Sequence, residues 1–71
     1  MSEEVSKLKV IATNKNLLPS ERIEAADTLA VLGDRDALLA LLDIAADEGL
    51  LPSERGFALS KAREVIRSRG T

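Results

Sequence analysis

The chain has 71 residues, of which 45% are hydrophobic, and a formal net charge of −2. Such a length allows one domain with a small core, and the absence of cysteine and histidine excludes disulfides, thiolate metal sites and the commonest general base and zinc ligand. No apolar run approaches the ~20 residues needed to span a bilayer, and the acidic start at residues 1–4 is unlike a signal peptide. A cytoplasmic protein without cofactors is predicted.

Leucine and alanine dominate the apolar set, with twelve and ten residues respectively, and Phe57 is the single aromatic residue. Leucine and alanine favour helices, whereas sheets favour β-branched and aromatic residues. The composition therefore predicts an all-α fold. Charge is distributed unevenly, since residues 1–54 sum to −6 and residues 55–71 to +4. Blocks of opposite sign steer partners or each other.

The first half of the chain predicts a helix, a loop and a second helix. Helix 1 is predicted over residues 3–14, with Ser2 as its N-cap. Pro19 is suited to the first position of helix 2 because the N–H that proline lacks has no partner there. Helix 2 is predicted to stop at Gly33 in the left-handed conformation.

The second half predicts the same order. Asp34 is expected to cap helix 3 over residues 35–48, and Gly49 is expected to end it. Helix 4 is predicted from Pro52 to about residue 69. The apolar stripes predicted to face inward are Val5, Leu8, Ile11 and Ala12, then Ala25, Ala26, Leu29 and Leu32, then Ala37, Leu38, Leu41, Leu42, Ile44 and Ala45, and finally Ala58, Leu59, Ala62, Val65 and Ile66.

An internal repeat explains why the two halves agree. Residues 17–22 recur identically as residues 50–55, and ten of 33 positions are identical at this offset. The sequence therefore predicts one domain over residues 1–71, built from repeat units 5–37 and 38–70 as four antiparallel helices. The leucine pairs of the loops, at 17–18 and 50–51, are expected to plug the end of each helix pair.

The segment 19–38 resembles the second helix and linker of a HEAT repeat, specifically the short bacterial class named for phycobilisome lyases. The resemblance lies in a proline, an arginine three residues later, paired alanines and a Leu-Gly-Asp turn, which are Pro19, Arg22, Ala25, Ala26, Leu32, Gly33 and Asp34. The second unit matches at Pro52, Arg55 and Ala58. The resemblance implies a short α-solenoid, a right-handed stack of helix pairs that binds other macromolecules. It does not imply lyase chemistry.

Arg22 and Arg55 occupy the arginine position of the two units. In HEAT arrays this residue often pairs with acidic groups of the neighbouring unit, so the resemblance implies a structural role for both. The same kind of role is expected for the turn and cap residues Pro19, Gly33, Asp34, Gly49 and Pro52.

A possible partner surface is indicated by Phe57, which shares a helix face with Lys61 and lies opposite the predicted inward stripe. A lone aromatic on such a face either packs against the edge of its own domain or contacts a partner. Val31 on helix 2 and Val10 on helix 1 also lie outside the main stripes. The predicted partner-binding set is Phe57, Lys61, Val31, Arg63 and Arg67.

Other chemistry is weakly indicated. The basic helix 4 suggests phosphate contact, although the acidic chain has no aromatics placed to stack bases. Asp43, Asp47 and Glu48 lack the loop glycine and the number of ligands of a calcium site and are expected to be a solvated acidic face. The sequence thus favours a non-catalytic protein-binding module, an adaptor or scaffold that binds another protein or itself. The alternatives are an accessory protein that contacts nucleic acid through helix 4, and a designed chain or a fragment of a longer array.

Overall fold

A computed structural model describes residues 3–70 and confirms the all-α prediction, with four helices in that range: α1 (Glu3–Ala12), α2 (Pro19–Leu32), α3 (Arg35–Ala46) and α4 (Pro52–Gly70). The predicted cap Ser2 lies outside the described residues. The starts of α2 and α4 differ by the repeat offset of 33 residues.

The helices form two hairpins that stack on each other. α1 packs on α2 in the first hairpin and α3 packs on α4 in the second, while α1 contacts α3 and α2 contacts α4 between hairpins. Within residues 3–70, α1 and α4 do not touch. The result is two layers, α1 with α3 and α2 with α4, as a short solenoid requires.

Local chemistry sets the first turn of α2 and α4. Each begins with a proline, and a glutamate two residues later reaches back to the N–H that precedes the proline. Glu21 Oε1 accepts a hydrogen bond from Leu18 N at 3.0 Å, and Glu54 Oε1 accepts one from Leu51 N at 3.0 Å. A carboxylate in the first helical turn also suits the positive end of the helix dipole.

The turn between α2 and α3 follows the sequence prediction. Gly33 has φ 65°, the left-handed region, and its N–H donates to the Leu29 carbonyl at 3.1 Å. The Asp34 carboxylate then caps α3 by accepting a hydrogen bond from Ala37 N at 2.8 Å. Glycine is required at position 33 because a Cβ is strained at positive φ.

Replacing Gly33 with alanine is therefore expected to lower the free energy of unfolding by about 1–2 kcal/mol. Gly56 is the matched control, since it lies inside α4 at ordinary helical φ, and a Cβ there meets nothing within 4 Å. Gly56→Ala is expected to raise stability by about 0.5–1 kcal/mol. Urea titrations monitored by circular dichroism check both signs, and equal effects at the two positions would contradict the assignment.

Two predicted helix ends are wrong. α1 stops at Ala12 because the Asn14 N–H donates to the Ile11 carbonyl at 3.2 Å and the Asn14 side-chain Oδ1 accepts from Asn16 N at 2.9 Å. α3 stops at Ala46, before Gly49, because the Asp47 carboxylate accepts a hydrogen bond from Gly49 N at 2.9 Å. Such side chains compete with the helical backbone and end helices without a glycine.

The core consists largely of small and branched side chains at the centre of the stack. Leu29, Leu41, Ile44 and Val5 are the largest fully buried side chains. Several residues predicted to be buried are exposed instead, and they are Ile11, Leu32, Leu42, Leu59 and Ile66. In the leucine pairs, Leu50 is buried and Leu17 half-buried, whereas Leu18 and Leu51 are exposed, so only one residue of each pair packs inward.

Candidate protein-binding surfaces

A buried ion pair joins the two hairpins. Arg22 on α2 donates from Nε to Glu54 Oε2 at 2.5 Å, and both side chains are almost fully buried. The second oxygen of Glu54 accepts the Leu51 N–H. Both carboxylate oxygens are therefore hydrogen-bonded, which is the condition under which a buried charge is tolerated.

Arg22 also holds the loop of its own hairpin. Its Nη1 donates to the Leu17 carbonyl at 2.7 Å and to the Asn14 carbonyl at 3.2 Å. These carbonyls belong to the loop between α1 and α2, where no helix supplies a donor. One guanidinium group thus stabilises the loop of the first hairpin and also binds the second hairpin.

The repeat counterparts of this pair are Arg55 and Glu21, and they are arranged differently. Arg55 is half-buried and donates from Nε to the Ala45 carbonyl at 2.9 Å, and within residues 3–70 it has no carboxylate partner. Glu21 is exposed and makes only the bond to Leu18 N among the described residues. Arg55 and Glu21 are thus the counterparts of Arg22 and Glu54, but they are not paired with each other within the chain.

Three further ion pairs cross between the hairpins. Lys9 Nζ lies 2.8 Å from Asp43 on α3, and Lys15 Nζ lies 3.8 Å from Asp47 just after α3, so both join the first hairpin to the second. Lys61 Nζ lies 3.3 Å from Asp27, joining α4 to α2. These pairs are partly exposed, so each contributes little to stability. Together they identify the residues at which the two hairpins face each other.

Electrostatics at two of these contacts shift the pKa of one partner. The hydrogen bond from Arg22 holds the pKa of Glu54 below its ordinary value of 4.5, against the opposing effect of burial. The hydrogen bond to Asp27 and the nearby charge of Glu64 raise the pKa of Lys61. Lys61 is therefore a cation at neutral pH, and Glu54 is a carboxylate.

The lowered pKa of Glu54 predicts a pH dependence. Its native pKa lies below its unfolded value, so the unfolded state binds more protons between the two, and stability rises with pH there. The contribution is complete above 4.5 and is lost as pH falls through the native pKa. Glu54→Gln should flatten this part of the curve of urea midpoint against pH. Glu21→Gln is the matched control, since it removes an exposed carboxylate that makes the same bond to the N–H before a proline, and identical curves for the two variants would contradict the prediction.

Exposed apolar side chains mark the two ends of the stack. At the end formed by the first hairpin, Val10, Ile11 and Leu32 are exposed, and a shallow apolar depression lies among Glu4, Lys7, Leu8, Ile11, Thr28 and Leu32. Together with Glu21 and Thr28, these three residues form what we name the first flank. The opposite end carries Leu42, Arg55, Leu59 and Ile66, which we name the second flank.

Comparison of equivalent positions shows what stacking covers. Ile44 is 2% exposed, whereas its first-hairpin counterpart Ile11 is 40% exposed. Val65 and Leu32 differ in the same direction, at 4% and 41%. On the other side, Ala26 is 3% exposed and its counterpart Leu59 is 49% exposed. The two exposed flanks are therefore the counterparts of the faces that are buried where one hairpin meets the other.

The structure brings Phe57 and Lys61 of the predicted partner-binding set together. Phe57 is half-buried and packs on the core of its own domain, as in the first of the two alternatives given above for a lone aromatic residue. Lys61 Nζ lies 5.4 Å from the centre of its ring, within cation–π range. Since Lys61 is also paired with Asp27 and Glu64, this pair is occupied within the chain.

The other three residues of that set lie apart from this pair. Val31 is 80% exposed and lines a polar depression with Ala30, Gly33, Glu64, Val65, Ser68 and Arg69. Arg63 and Arg67 are exposed on α4 and have no ion-pair partner in the described part of the chain. Sequence reasoning missed Glu54 as the buried partner of Arg22, and it missed Leu42 and Leu59 as exposed residues of the second flank. The repeat could have indicated Glu54, because Glu54 and Glu21 occupy the same position of the two identical hexapeptides.

No group of three or more His, Cys, Asp or Glu residues among the described positions is placed to hold a metal ion. No helix within residues 3–70 is both long enough and apolar enough to cross a bilayer. In comparisons with family models, curated proteins and solved structures, the chain matches none of them.

Proposed function

We propose that this chain is a HEAT-like, non-catalytic protein-binding module, a small adaptor or scaffold that acts in the cytoplasm and binds through its flanks. The observation that carries the proposal is the exposure of Ile11, Leu32 and Leu59, at positions whose counterparts are buried between the hairpins. A surface shaped to pack against a helical hairpin is apolar and complementary to protein.

The HEAT-like character rests on the motif residues and on the arrangement of the helices. Pro19 begins α2, Gly33 ends it in the left-handed region and Asp34 caps α3, each in the order of the HEAT pattern. Arg22 pairs with an acid of the second hairpin, as the arginine of such arrays often does. Stacked helical hairpins use their surfaces to bind other macromolecules.

The test is a capture experiment with matched variants. Wild-type chain is immobilised beside Ile11→Glu, Leu59→Glu and Val31→Glu, and proteins retained from a lysate are identified by mass spectrometry. Val31 is the control because it is exposed and lines a depression that contains no residue of either flank. A protein retained by wild type and Val31→Glu but lost from a flank variant supports the proposal. Retention that none of the flank substitutions changes would contradict it.

A second candidate function is contact with nucleic acid through α4. Arg63 and Arg67 favour it, since both are exposed and unpaired among residues 3–70. Phosphate binding releases counterions and must weaken steeply as salt rises. Retention on immobilised DNA or RNA that falls with salt, and falls further in Arg63→Ala/Arg67→Ala, would favour this function over the first.

A further inference from the structure

The contacts between the hairpins define a pairing rule that can be extended beyond the chain. Four ion pairs join first-hairpin residues to second-hairpin residues: Lys9 with Asp43, Lys15 with Asp47, Arg22 with Glu54, and Asp27 with Lys61. Adding 33 to each first-hairpin residue gives its counterpart on the outward side of the second hairpin. Subtracting 33 from each second-hairpin residue gives its counterpart on the outward side of the first.

The buried pair keeps the same two residue types when its counterparts are taken. Arg22 becomes Arg55 and Glu54 becomes Glu21, so the two ends of the molecule carry opposite halves of the same ion pair. Within residues 3–70, neither terminal nitrogen of Arg55 is engaged, and neither is the second oxygen of Glu21. The two ends are therefore complementary in charge at the position where the hairpins are already joined.

The pair of Lys9 and Asp43 changes its chemistry in a consistent way. Its counterparts are Leu42 and Val10, which are both apolar and both exposed. Where the chain has an ion pair between its hairpins, the two ends of the molecule therefore carry apolar side chains at the equivalent positions. The remaining two pairs become Ser60 with Thr28 and Glu48 with Asn14, neither of which opposes like charges.

Helical spacing adds further apolar residues to both ends. Leu59 lies one turn after Arg55 on the same face of α4, and Ile66 lies two turns after Leu59. On the first flank, Leu32 shares the face of α2 that carries Glu21 and Thr28. Each end therefore carries apolar side chains on the same face as the arginine or the glutamate, and apolar area is what an interface core contains.

We propose that the second flank of one copy of this chain binds the first flank of a second copy, head to tail, with Arg55 of one copy paired to Glu21 of the next. The proposal rests on the proposed function, since it names the partner that the flanks bind. It extends the Arg22–Glu54 contact from copy to copy. A head-to-tail contact leaves a free flank on each end, so association continues beyond two copies unless the rotation closes a ring.

Sedimentation equilibrium of the full chain over a range of concentrations provides the test. The average mass of the wild-type protein is expected to rise with concentration above the 7.6 kDa of one chain. Glu21→Arg alone and Arg55→Glu alone should each weaken association by about thirtyfold or more, because each places like charges opposite each other. The double variant Glu21→Arg/Arg55→Glu reverses the pair and should restore association, as should an equimolar mixture of the two single variants.

The controls separate pairing from net charge and from folding. Arg69→Glu changes the charge of α4 by the same amount as Arg55→Glu but lies off the second flank, so it should leave association unchanged. Circular dichroism of each variant at low concentration verifies the helical fold. A constant monomer mass at all concentrations would overturn the proposal, and so would association that the single variants leave intact. A monomer that still captures a different protein in a flank-dependent manner would leave the proposed function standing, whereas loss of flank-dependent capture would remove that function.

Discussion

Replacing Arg22 with alanine is expected to lower the free energy of unfolding by about 3–5 kcal/mol. The substitution leaves the buried carboxylate of Glu54 with only the Leu51 N–H, and it removes the donor from the Leu17 carbonyl and one of the two donors from the Asn14 carbonyl. A domain of this size has a total stability near the lower end of about 5–15 kcal/mol. The variant should therefore be largely unfolded near physiological temperature, which thermal melts by circular dichroism will show.

The repeat supplies the matched control for this prediction. Arg55 is the same residue in an identical hexapeptide, but it donates to one carbonyl and has no carboxylate partner within residues 3–70. Arg55→Ala should therefore cost about 1 kcal/mol at low protein concentration. Equal losses at the two arginines would show that the ion pair contributes nothing specific.

A double variant distinguishes loss of the pair from loss of its desolvated charge. Arg22→Met with Glu54→Gln removes both charges, keeps an acceptor for the Leu51 N–H and fills a similar volume. Replacing a buried ion pair by uncharged residues is often nearly neutral. The double variant should recover most of the stability lost in Arg22→Ala. If it is as unstable as the single variant, the loss of the guanidinium hydrogen bonds to the Leu17 and Asn14 carbonyls, rather than the buried charge, explains the effect.

The sequence alone predicts the local part of this fold well. The starts at Pro19 and Pro52 and the stop at Gly33 follow from rules that involve only neighbouring residues. The predicted stop at Gly49 is wrong because the side chain of Asp47, which ordinary stop signals do not include, ends the helix first. A glycine is the commoner helix stop signal, but here the nearer aspartate ends the helix.

The burial predictions were wrong at Leu42, Leu59 and Ile66 for a different reason. Helical periodicity identifies which side chains share a face, but it does not say whether another element covers that face. Leu59 lies on a face equivalent to that of Ala26, and only the second of these has a hairpin against it. In a repeat protein the end units carry the same pattern as inner ones, so exposure depends on position in the stack.

Identical sequence therefore conceals different roles for Glu21 and Glu54. Both reach back to the N–H before a proline, and that part of their role can be predicted from spacing. The second oxygen of Glu54 meets Arg22, whereas that of Glu21 faces outward at the end of the molecule. Only the three-dimensional stack distinguishes a buried ion-pair residue from an exposed residue at the end of the molecule.

Replacing Ile44 with alanine is expected to lower the free energy of unfolding by about 2–5 kcal/mol. Ile44 is 2% exposed in the centre of the stack, so the substitution removes buried methyl groups and leaves a cavity. Its counterpart Ile11 is 40% exposed and occupies the same place in the first hairpin. Ile11→Ala should cost about 1–2 kcal/mol, because much of that side chain is already in water.

The comparison isolates the contribution of stacking because both substitutions are Ile→Ala at equivalent helical positions, so the change in helix propensity is the same for both. Equal costs in urea titrations at low concentration would show that the first hairpin does not protect Ile44. Raising the protein concentration tests the head-to-tail proposal in the same experiment, because a second copy packed on the first flank buries Ile11. The cost of Ile11→Ala should then increase toward that of Ile44→Ala, while the cost of Ile44→Ala stays constant.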